Sequence, residues 1–450
     1  MNYKGKKVMV VGMAKSGLAS ARLLLDVGAE AVLYDMKTPD QFPEGTFSEF
    51  EGRAKLALGA DADAVAKECD ALVLSPGVPM NLSFILQAQQ DGKPVIGEIE
   101  LGFLFSPADF VAITGTNGKT TTTALTGEVF KNAGFCTHVL GNIGIPIAGE
   151  ALTTQKGDIV VAETAALQLD TIDTYRPHAC AVLNVTEDHL NRYGTMENYT
   201  AAKELIFKNQ SENDFCVLNY DNAITRKMEG KQKSKIIWFS RQVRLDRGVS
   251  IDEGRIISAE EDGIHVICHP EDIKIPGTHN LENSLAAIAL ARCYNIPESV
   301  IRDTLMTFPG VEHRIEFVRE LDGIRYINDS KGTNPDATEK AAAAMTRPTV
   351  LILGGYDKQS SFVSLFGGFG PLIKNVIAIG ATKAKIMNDA KAVGFESIVT
   401  ADDFEEAVVK ARGLAKDGWN VLLSPACASY DMFSDFEQRG RVFKDIVNSF

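Results

Sequence analysis

At roughly 100–200 residues per domain, a chain of 450 residues has room for about two to four domains, and 45% hydrophobic against 23% charged residues supplies each with a core. Its 59 acidic and 46 basic side chains leave a net charge of -13, which repels nucleic acid and anionic membranes, so no nucleic acid and no membrane are expected as partners. The seven cysteines are scattered without a C-x-x-C pair, no apolar run approaches the ~18 residues that cross a bilayer, and the N-terminus has no signal-peptide core; a cytoplasmic protein with reduced thiols is expected.

Short Val/Ile/Leu runs alternate with amphipathic stretches, the pattern of α/β folds with parallel sheets. The first run predicts a strand at Lys7–Val11, a helix from about Gly17 to Val27 and a strand at Ala31–Tyr34. Between the first two lies Gly12-Met13-Ala14-Lys15-Ser16-Gly17, close to G-x-G-x-x-G but with alanine at the middle glycine, and Asp35 stands where dinucleotide folds place a ribose-binding acid. Three readings stay open at this turn: NAD, another nucleotide diphosphate, or a tight turn with no ligand. A further strand, Ala71–Leu74, ends at Ser75-Pro76-Gly77.

A second unit opens with strand Phe110–Ile113, which runs into Thr114-Gly115-Thr116-Asn117-Gly118-Lys119-Thr120-Thr121 and a helix. Glycines let such a loop curl its N–H groups toward phosphate oxygens, the lysine adds a point charge, and a hydroxyl of Thr120 or Thr121 can ligate Mg²⁺. The loop is a shortened G-x-x-G-K-T variant, because Ile113 occupies the place of the first glycine. Strands Ile159–Ala162 and Cys180–Val185 put Glu163 and the Glu187-Asp188-His189 run at carboxyl ends, where α/β sheets bind ligands. There a carboxylate and an imidazole can hold a metal ion or simply cap helices.

Lys203 falls in a helical stretch, Glu197–Asn209, on a face with Tyr199, Thr200, Ile206 and Phe207. Burial on that face lowers an amine's pKa, and a neutral amine can take up carbon dioxide as a carbamate; a snorkelling stem is the simpler reading of the residues alone. A third unit follows Phe308-Pro309-Gly310, with strands Arg325–Asn328, Thr349–Leu353, Asn375–Ile379 and Asn420–Leu423. Boundaries near Gly97 and Gly310 divide the chain into 1–97, 98–310 and 311–450.

Several segments in order resemble the Mur ligases: TGTNGKTT at 114–121, GNIG at 141–144, NVTEDHLNRY at 184–193, YTAAKE at 199–204, HNLENSLAA at 279–287, HRIE at 313–316, NDSKGTN at 328–334 and SPACASYDMFSDFEQRG at 424–440. The last two resemble the D-glutamate-adding branch more than the branches that add L-lysine, diaminopimelate or a folate glutamate tail. A nucleotide-binding regulator or an NAD oxidoreductase would leave Glu163, His189 and Lys203 without a task. The resemblance implies three α/β domains: an N-terminal Rossmann-like domain for a UDP substrate, a central P-loop-type mononucleotide-binding ATPase domain, and a C-terminal Rossmann-like domain for D-glutamate. It also implies a monomer acting on ATP, UDP-N-acetylmuramoyl-L-alanine and D-glutamate. In that chemistry ATP phosphorylates the substrate carboxylate and the amine of D-glutamate attacks the acyl phosphate.

The same resemblance implies residue roles. Gly115, Thr116, Asn117, Gly118, Lys119, Thr120 and Thr121 would hold the ATP phosphates, with Asn280 near the adenine and Asn283, Arg314, Asp329 and Lys331 near phosphates or ribose. Two Mg²⁺ ions would be held by Thr120 and Glu163, and by Glu163, His189 and a carbamylated Lys203. Lys15, Ser16, Asp35, Gly77 and Asn142 would hold the UDP substrate; Thr333, Lys358, Ser429 and Phe436 would form the D-glutamate pocket. Where the family carries a Ser-Ser-Phe-Gln run after the metal-binding glutamate, this chain reads Glu163-Thr164-Ala165-Ala166-Leu167-Gln168, so a hydroxyl contact to the substrate is expected to be missing. The segment Gly354-Gly355-Tyr356-Asp357-Lys358 before the D-glutamate lysine also varies in the family.

Overall fold

Each apolar run read from the sequence is a strand, and the strands collect in three sheets. The computed structural model describes residues 2–142, 144–356 and 360–450. The first sheet contains β1 (Lys7–Val11), β2 (Glu30–Asp35), β3 (Lys55–Leu58), β4 (Ala71–Leu74) and β5 (Val95–Gly97), in the order β3-β2-β1-β4-β5, all parallel. Val8, Met9 and Val10 are fully buried, as expected of a strand covered on both faces. Strand order reverses between β2 and β4 around β1, which opens a crevice above the Gly12 turn.

The second sheet contains β6 (Asp109–Thr114), β7 (Thr137–Gly141), β8 (Ile159–Glu163), β9 (Ala179–Val182), β10 (Phe215–Asn219), β11 (Lys235–Phe239), β12 (Gly248–Asp252), β13 (Arg255–Glu260) and β14 (Gly263–Cys268). Its order is β14-β13-β12-β11-β10-β9-β6-β8-β7, parallel from β7 to β12 and closed by an antiparallel meander. The order reverses at β6, the strand that feeds the glycine loop. Beneath it, Phe103, Phe110 and Tyr175 pack edge to face with centroids 5.3–5.8 Å apart.

The helix Glu98–Phe105 joins these two sheets with two buried carboxylates. Glu100 accepts the backbone N–H groups of Asp173, Thr174 and Tyr175 at 2.8–2.9 Å and the Thr174 hydroxyl. One oxygen of Glu98 accepts Ala148 N–H at 2.7 Å, and the other is buried without a hydrogen-bond partner. Burial pushes the Glu98 carboxyl up to about 7, against the pull of the Ala148 and Ile147 amides.

The third sheet contains β15 (Glu316–Leu321), β16 (Ile324–Asn328), β17 (Thr349–Gly354), β18 (Ile373–Ile379), β19 (Ile398–Thr400) and β20 (Asn420–Leu423). Its order is β15-β16-β20-β17-β18-β19, parallel except for β15 against β16. Two compact units result. One runs to Pro270 and includes Glu282–Thr304; the other comprises Glu271–Leu281 and Leu305–Phe450. Among the described residues no helix is long and apolar enough to cross a membrane.

Elements depart from expectation where a loop takes over the chain. Strand β9 stops at Val182 rather than Val185, because Asn184 turns to bond the glycine loop. The helix expected at Glu197–Asn209 runs Met196–Glu204 and then tightens into a single turn at Leu205–Phe207.

Candidate active site

The glycine loop leaves the buried end of β6 and enters the helix Lys119–Asn132. Gly118 caps that helix at φ 87°, in the left-handed region, and a Cβ there would sit 2.2 Å from Asn283 Oδ1. Only glycine satisfies both constraints. Asn184, after β9, clasps the loop: its side-chain oxygen accepts Asn117 N–H at 2.9 Å, its amide donates to Asn117 C=O at 3.1 Å, and its own carbonyl accepts Thr116 N–H at 3.0 Å. The Thr116 hydroxyl bonds the backbone of Thr186 and lies 3.4 Å from the Tyr199 hydroxyl. Lys119 curls over the loop, donating to the carbonyls of Gly115 at 2.8 Å and Thr116 at 2.9 Å. Thr120 and Thr121 are buried in the first helical turn.

Glu163 ends β8 beside this loop, in register with Ile113 of β6. It is 3% exposed; one oxygen accepts from Asn142 Nδ2 at 3.0 Å and the other is buried with no hydrogen-bond partner. A carboxylate oxygen left bare in the interior calls for a cation. Lys203 is 1% exposed, with Nζ 4.5 Å from the centroid of the Tyr199 ring. Burial holds its amine well below the usual lysine range, the charge of Lys119 pushes the same way, and Asp188 opposes both. His189 sits on a left-handed residue, φ 53°, with its side chain half exposed, 6.1 Å from the Tyr199 ring and with Nε2 3.6 Å from Asp188. The structure thus brings Thr116, Lys119, Asp188, His189, Tyr199 and Lys203 around the carboxyl ends of β6, β8 and β9.

At the first sheet, Gly17 packs so tightly that a Cβ would meet Gly12 C=O at 1.8 Å. Asp35 accepts the backbone N–H groups of Met13 at 2.8 Å and Lys37 at 3.0 Å, so it braces the turn through its own backbone. The Ser75 hydroxyl closes the other side on Gly12 C=O at 2.8 Å. Lys15 and Gly77 are exposed and Ser16 half-buried along the same crevice edge. Arg192 donates to Val78 C=O at 3.3 Å, tying the loop after β4 to the segment that carries His189.

In the second unit the residues after β16 and β20 converge. Asp329 is 4% exposed; it accepts the Ser424 hydroxyl at 2.7 Å and Ile315 N–H at 3.2 Å. Burial pushes its carboxyl up to about 6, while the Arg314 guanidinium works against that rise. Arg314 Nε is buried without a hydrogen-bond partner. Lys331 Nζ lies 5.5 Å from the Phe436 ring. Ser429 is buried, Thr333 is half-buried, and Asn280 donates to Pro276 C=O at 2.7 Å. Lys358 lies outside the described residues.

Two residues that the sequence offered only inside longer motifs emerge as organisers. Asn184 is one. Arg439 is the other: it is 1% exposed and donates to the Ser330 hydroxyl at 2.9 Å, Ser330 C=O at 2.7 Å and Cys427 C=O at 3.1 Å. It locks the loop after β16 to the loop after β20. The only signal for either was its place in a motif, because a buried polar clasp leaves no periodicity.

A glycine loop between a buried parallel strand and a helix, a lysine at its mouth and a bare carboxylate beside it define an α/β protein built to hold nucleotide phosphates. The chain belongs to the Mur ligase family. It matches the MurD-like N-terminal domain over residues 6–97, the Mur ligase middle domain over 113–291 and the glutamate ligase domain over 313–427. It is 46% identical to the UDP-N-acetylmuramoylalanine–D-glutamate ligase of Clostridioides difficile, covering 100% of both chains. Against the ligase of the same name from Pelotomaculum thermopropionicum it is 45% identical, over 100% of this chain and 98% of that one. Among solved structures, the UDP-N-acetylmuramate-alanine ligase MurC of Thermotoga maritima aligns with a TM-score of 0.62 at 18% identity, over 99% of both chains. The MurF ligase of the same organism, solved in complex with ADP, aligns at 0.60 and 17% identity, over 99% of this chain and 96% of that one. At such identities these two share the fold.

Proposed function

We propose that this chain ligates D-glutamate to UDP-N-acetylmuramoyl-L-alanine at the expense of ATP, through an acyl phosphate, as a cytoplasmic monomer in peptidoglycan precursor synthesis. The observation that carries the reading is full-length identity of 42–46% to eight D-glutamate ligases. Mur ligases use ATP, and the glycine loop is where its phosphates belong. Domain boundaries at Gly97 and Gly310 would give each substrate its own sheet.

The chain's own residues suit this chemistry. The loop N–H groups from Gly115 to Gly118 receive phosphate oxygens, and Lys119 exchanges its carbonyl contacts for the β- and γ-phosphates. Asn184 keeps the loop in place during that exchange. The bare oxygen of Glu163 fits Mg²⁺ together with Thr120, and Glu163, His189 and carbamylated Lys203 fit a second ion. Bound there, Mg²⁺ would neutralise charge on the transferring phosphoryl group. Lys203 becomes a ligand when its neutral Nζ forms a bond to carbon dioxide and loses one proton. Asn283, Asn280, Arg314, Asp329 and Lys331 serve the rest of ATP. Lys15, Ser16, Asp35, Gly77 and Asn142 serve the UDP substrate, with Asp35 acting through the turn it braces. Thr333, Lys358, Ser429 and Phe436 serve D-glutamate.

Phosphate release from ATP in the presence of UDP-N-acetylmuramoyl-L-alanine, measured across a panel of amino acids, tests the reading. D-glutamate is expected to support release, and L-lysine and diaminopimelate are not. Release with either of those and none with D-glutamate would overturn it.

A further inference from the structure

A second cluster of metal-binding side chains lies at the other end of the strands that carry Glu163 and Asn142. Cys136 directly precedes β7, the edge strand of the second sheet, and His138 is the second residue of that strand; their side chains meet on one side of the chain. Asp158 precedes β8 and is brought alongside by the parallel pairing, in which Ile159 N–H donates to Cys136 C=O at 2.9 Å. Cys136 Sγ is 3.8 Å from His138 Nε2, which is 3.3 Å from Asp158 Oδ2. The three ligand atoms all lie within 4.8 Å of one another. Around a tetrahedral zinc ion, bond lengths of about 2.0–2.3 Å place sulfur, nitrogen and oxygen ligands about 3.3–3.6 Å apart. The cluster is already close to that spacing.

The other imidazole nitrogen has a carboxylate of its own. His138 Nδ1 lies 2.9 Å from Glu150 Oε2, a spacing at which an Nδ1–H donates to the carboxylate and Nε2 is turned to the sulfur and Asp158. Neither Glu150 nor Asp158 has a lysine or arginine partner among the described residues. A carboxylate that orients a histidine through its far nitrogen is the usual outer support of a metal-bound imidazole. Cys136 is exposed, which leaves a path for entry and a fourth position for water.

We propose that Cys136, His138 and Asp158 form a binding site for a borderline-soft divalent cation of the zinc type, with Glu150 orienting the histidine. A mixed sulfur, nitrogen and oxygen set selects Zn²⁺ over the Mg²⁺ proposed for the phosphate site. Binding converts the Cys136 thiol to a bound thiolate and releases its proton to solvent. The ion lies about 15 Å from Glu163, the length of a five-residue strand, so it acts on structure, by pinning edge strand β7 to β8.

The test is titration of the full-length protein with Co²⁺ in excess Mg²⁺, read by thiolate-to-cobalt absorption in the near ultraviolet, with Zn²⁺ competing. One equivalent of Co²⁺ should bind with that absorption, and Zn²⁺ should displace it. The absorption should vanish in Cys136→Ser. Affinity should fall at least tenfold in His138→Gln and about 10–100-fold in Glu150→Gln. Ligase activity in Mg²⁺ should be unchanged in Cys136→Ser, and Zn²⁺ should raise the melting temperature of wild type only. Absence of thiolate absorption in wild type would overturn the proposal. Absorption that persists in Cys136→Ser, or equal Zn²⁺ affinity in wild type and His138→Gln, would overturn it as well.

Discussion

Lys203 shows how much one side chain's meaning depends on its surroundings. Its sequence neighbours gave it an apolar helical face, which by itself fits a snorkelling lysine. The folded chain buries it almost completely, sets it over the Tyr199 ring and places the Lys119 charge close enough to disfavour a second ammonium. A neutral amine is the form that reacts with carbon dioxide, and its fraction rises as pH rises through the lowered pKa. Lys203→Ala is therefore expected to lose activity about a thousandfold, ~4 kcal/mol of transition-state stabilisation, with partial recovery in short carboxylates that fill the vacated space. Wild-type turnover should depend on dissolved carbon dioxide, and a carbamate carbon signal should appear when labelled bicarbonate is supplied. An active protein with only free amine at Lys203, and no rescue of Lys203→Ala, would count against a carbamate. At this scale the sequence made residue types legible and left partners hidden. Glu163 could be placed at a strand end, but its bare second oxygen emerges only from the packing around it.

At the scale of elements, strands were the most legible, because both faces of a parallel sheet are covered and its strands read as apolar runs. Lys7–Val11, Ala71–Leu74 and Asn420–Leu423 have the limits read from sequence. The meander β12–β14 was not read: β14 is mostly solvent-facing, and β12 and β13, though mostly buried, break their apolar residues with serines and charges. Ala165 illustrates what a short element changes. It lies at the N-cap of the helix Ala166–Leu169, in extended conformation, and Gln168 Oε1 already accepts its N–H at 2.9 Å. A serine there would complete the reciprocal cap by accepting from the helix backbone, worth ~0.5–2 kcal/mol, so its hydroxyl has work besides any contact to a substrate phosphate. Ala165→Ser should raise stability by about 1 kcal/mol and lower KM for the UDP substrate by less than about tenfold, leaving kcat unchanged. Denaturant unfolding and steady-state kinetics check both; a change confined to kcat would contradict the account.

At the scale of the whole molecule, the three sheets could be anticipated from the order of the apolar runs, whereas the carboxylates that join the first two sheets were invisible in sequence. Glu98 and Glu100 belong to no motif in the sequence, yet both are buried. Glu98 has a stability consequence whose sign is fixed. Its folded pKa of about 7 stands above the ordinary value of 4.5, so its contribution is full below about 4.5 and is lost as pH rises through 7. The shift corresponds to about 3 kcal/mol of stability lost on ionisation. Glu98→Gln should remove this slope, so that the variant gains on wild type between about pH 5 and pH 8. Urea unfolding followed by Trp238 fluorescence in a Trp419→Phe background reports on the unit that holds Glu98. Parallel curves for wild type and variant would show that Glu98 ionises without cost.

The central claim is that the phosphate site transfers a phosphoryl group to the carboxylate of the UDP substrate before an amine arrives. The direct measurement is the fate of that carboxylate's oxygen. UDP-N-acetylmuramoyl-L-alanine with heavy oxygen in its carboxylate is incubated with the protein, ATP, Mg²⁺ and D-glutamate, and the released phosphate is analysed by mass. An acyl phosphate predicts that each released phosphate carries one heavy oxygen and that the D-glutamyl product forms in equal amount. Unlabelled phosphate, released by water attack on ATP while the substrate keeps both heavy oxygens, would contradict the account.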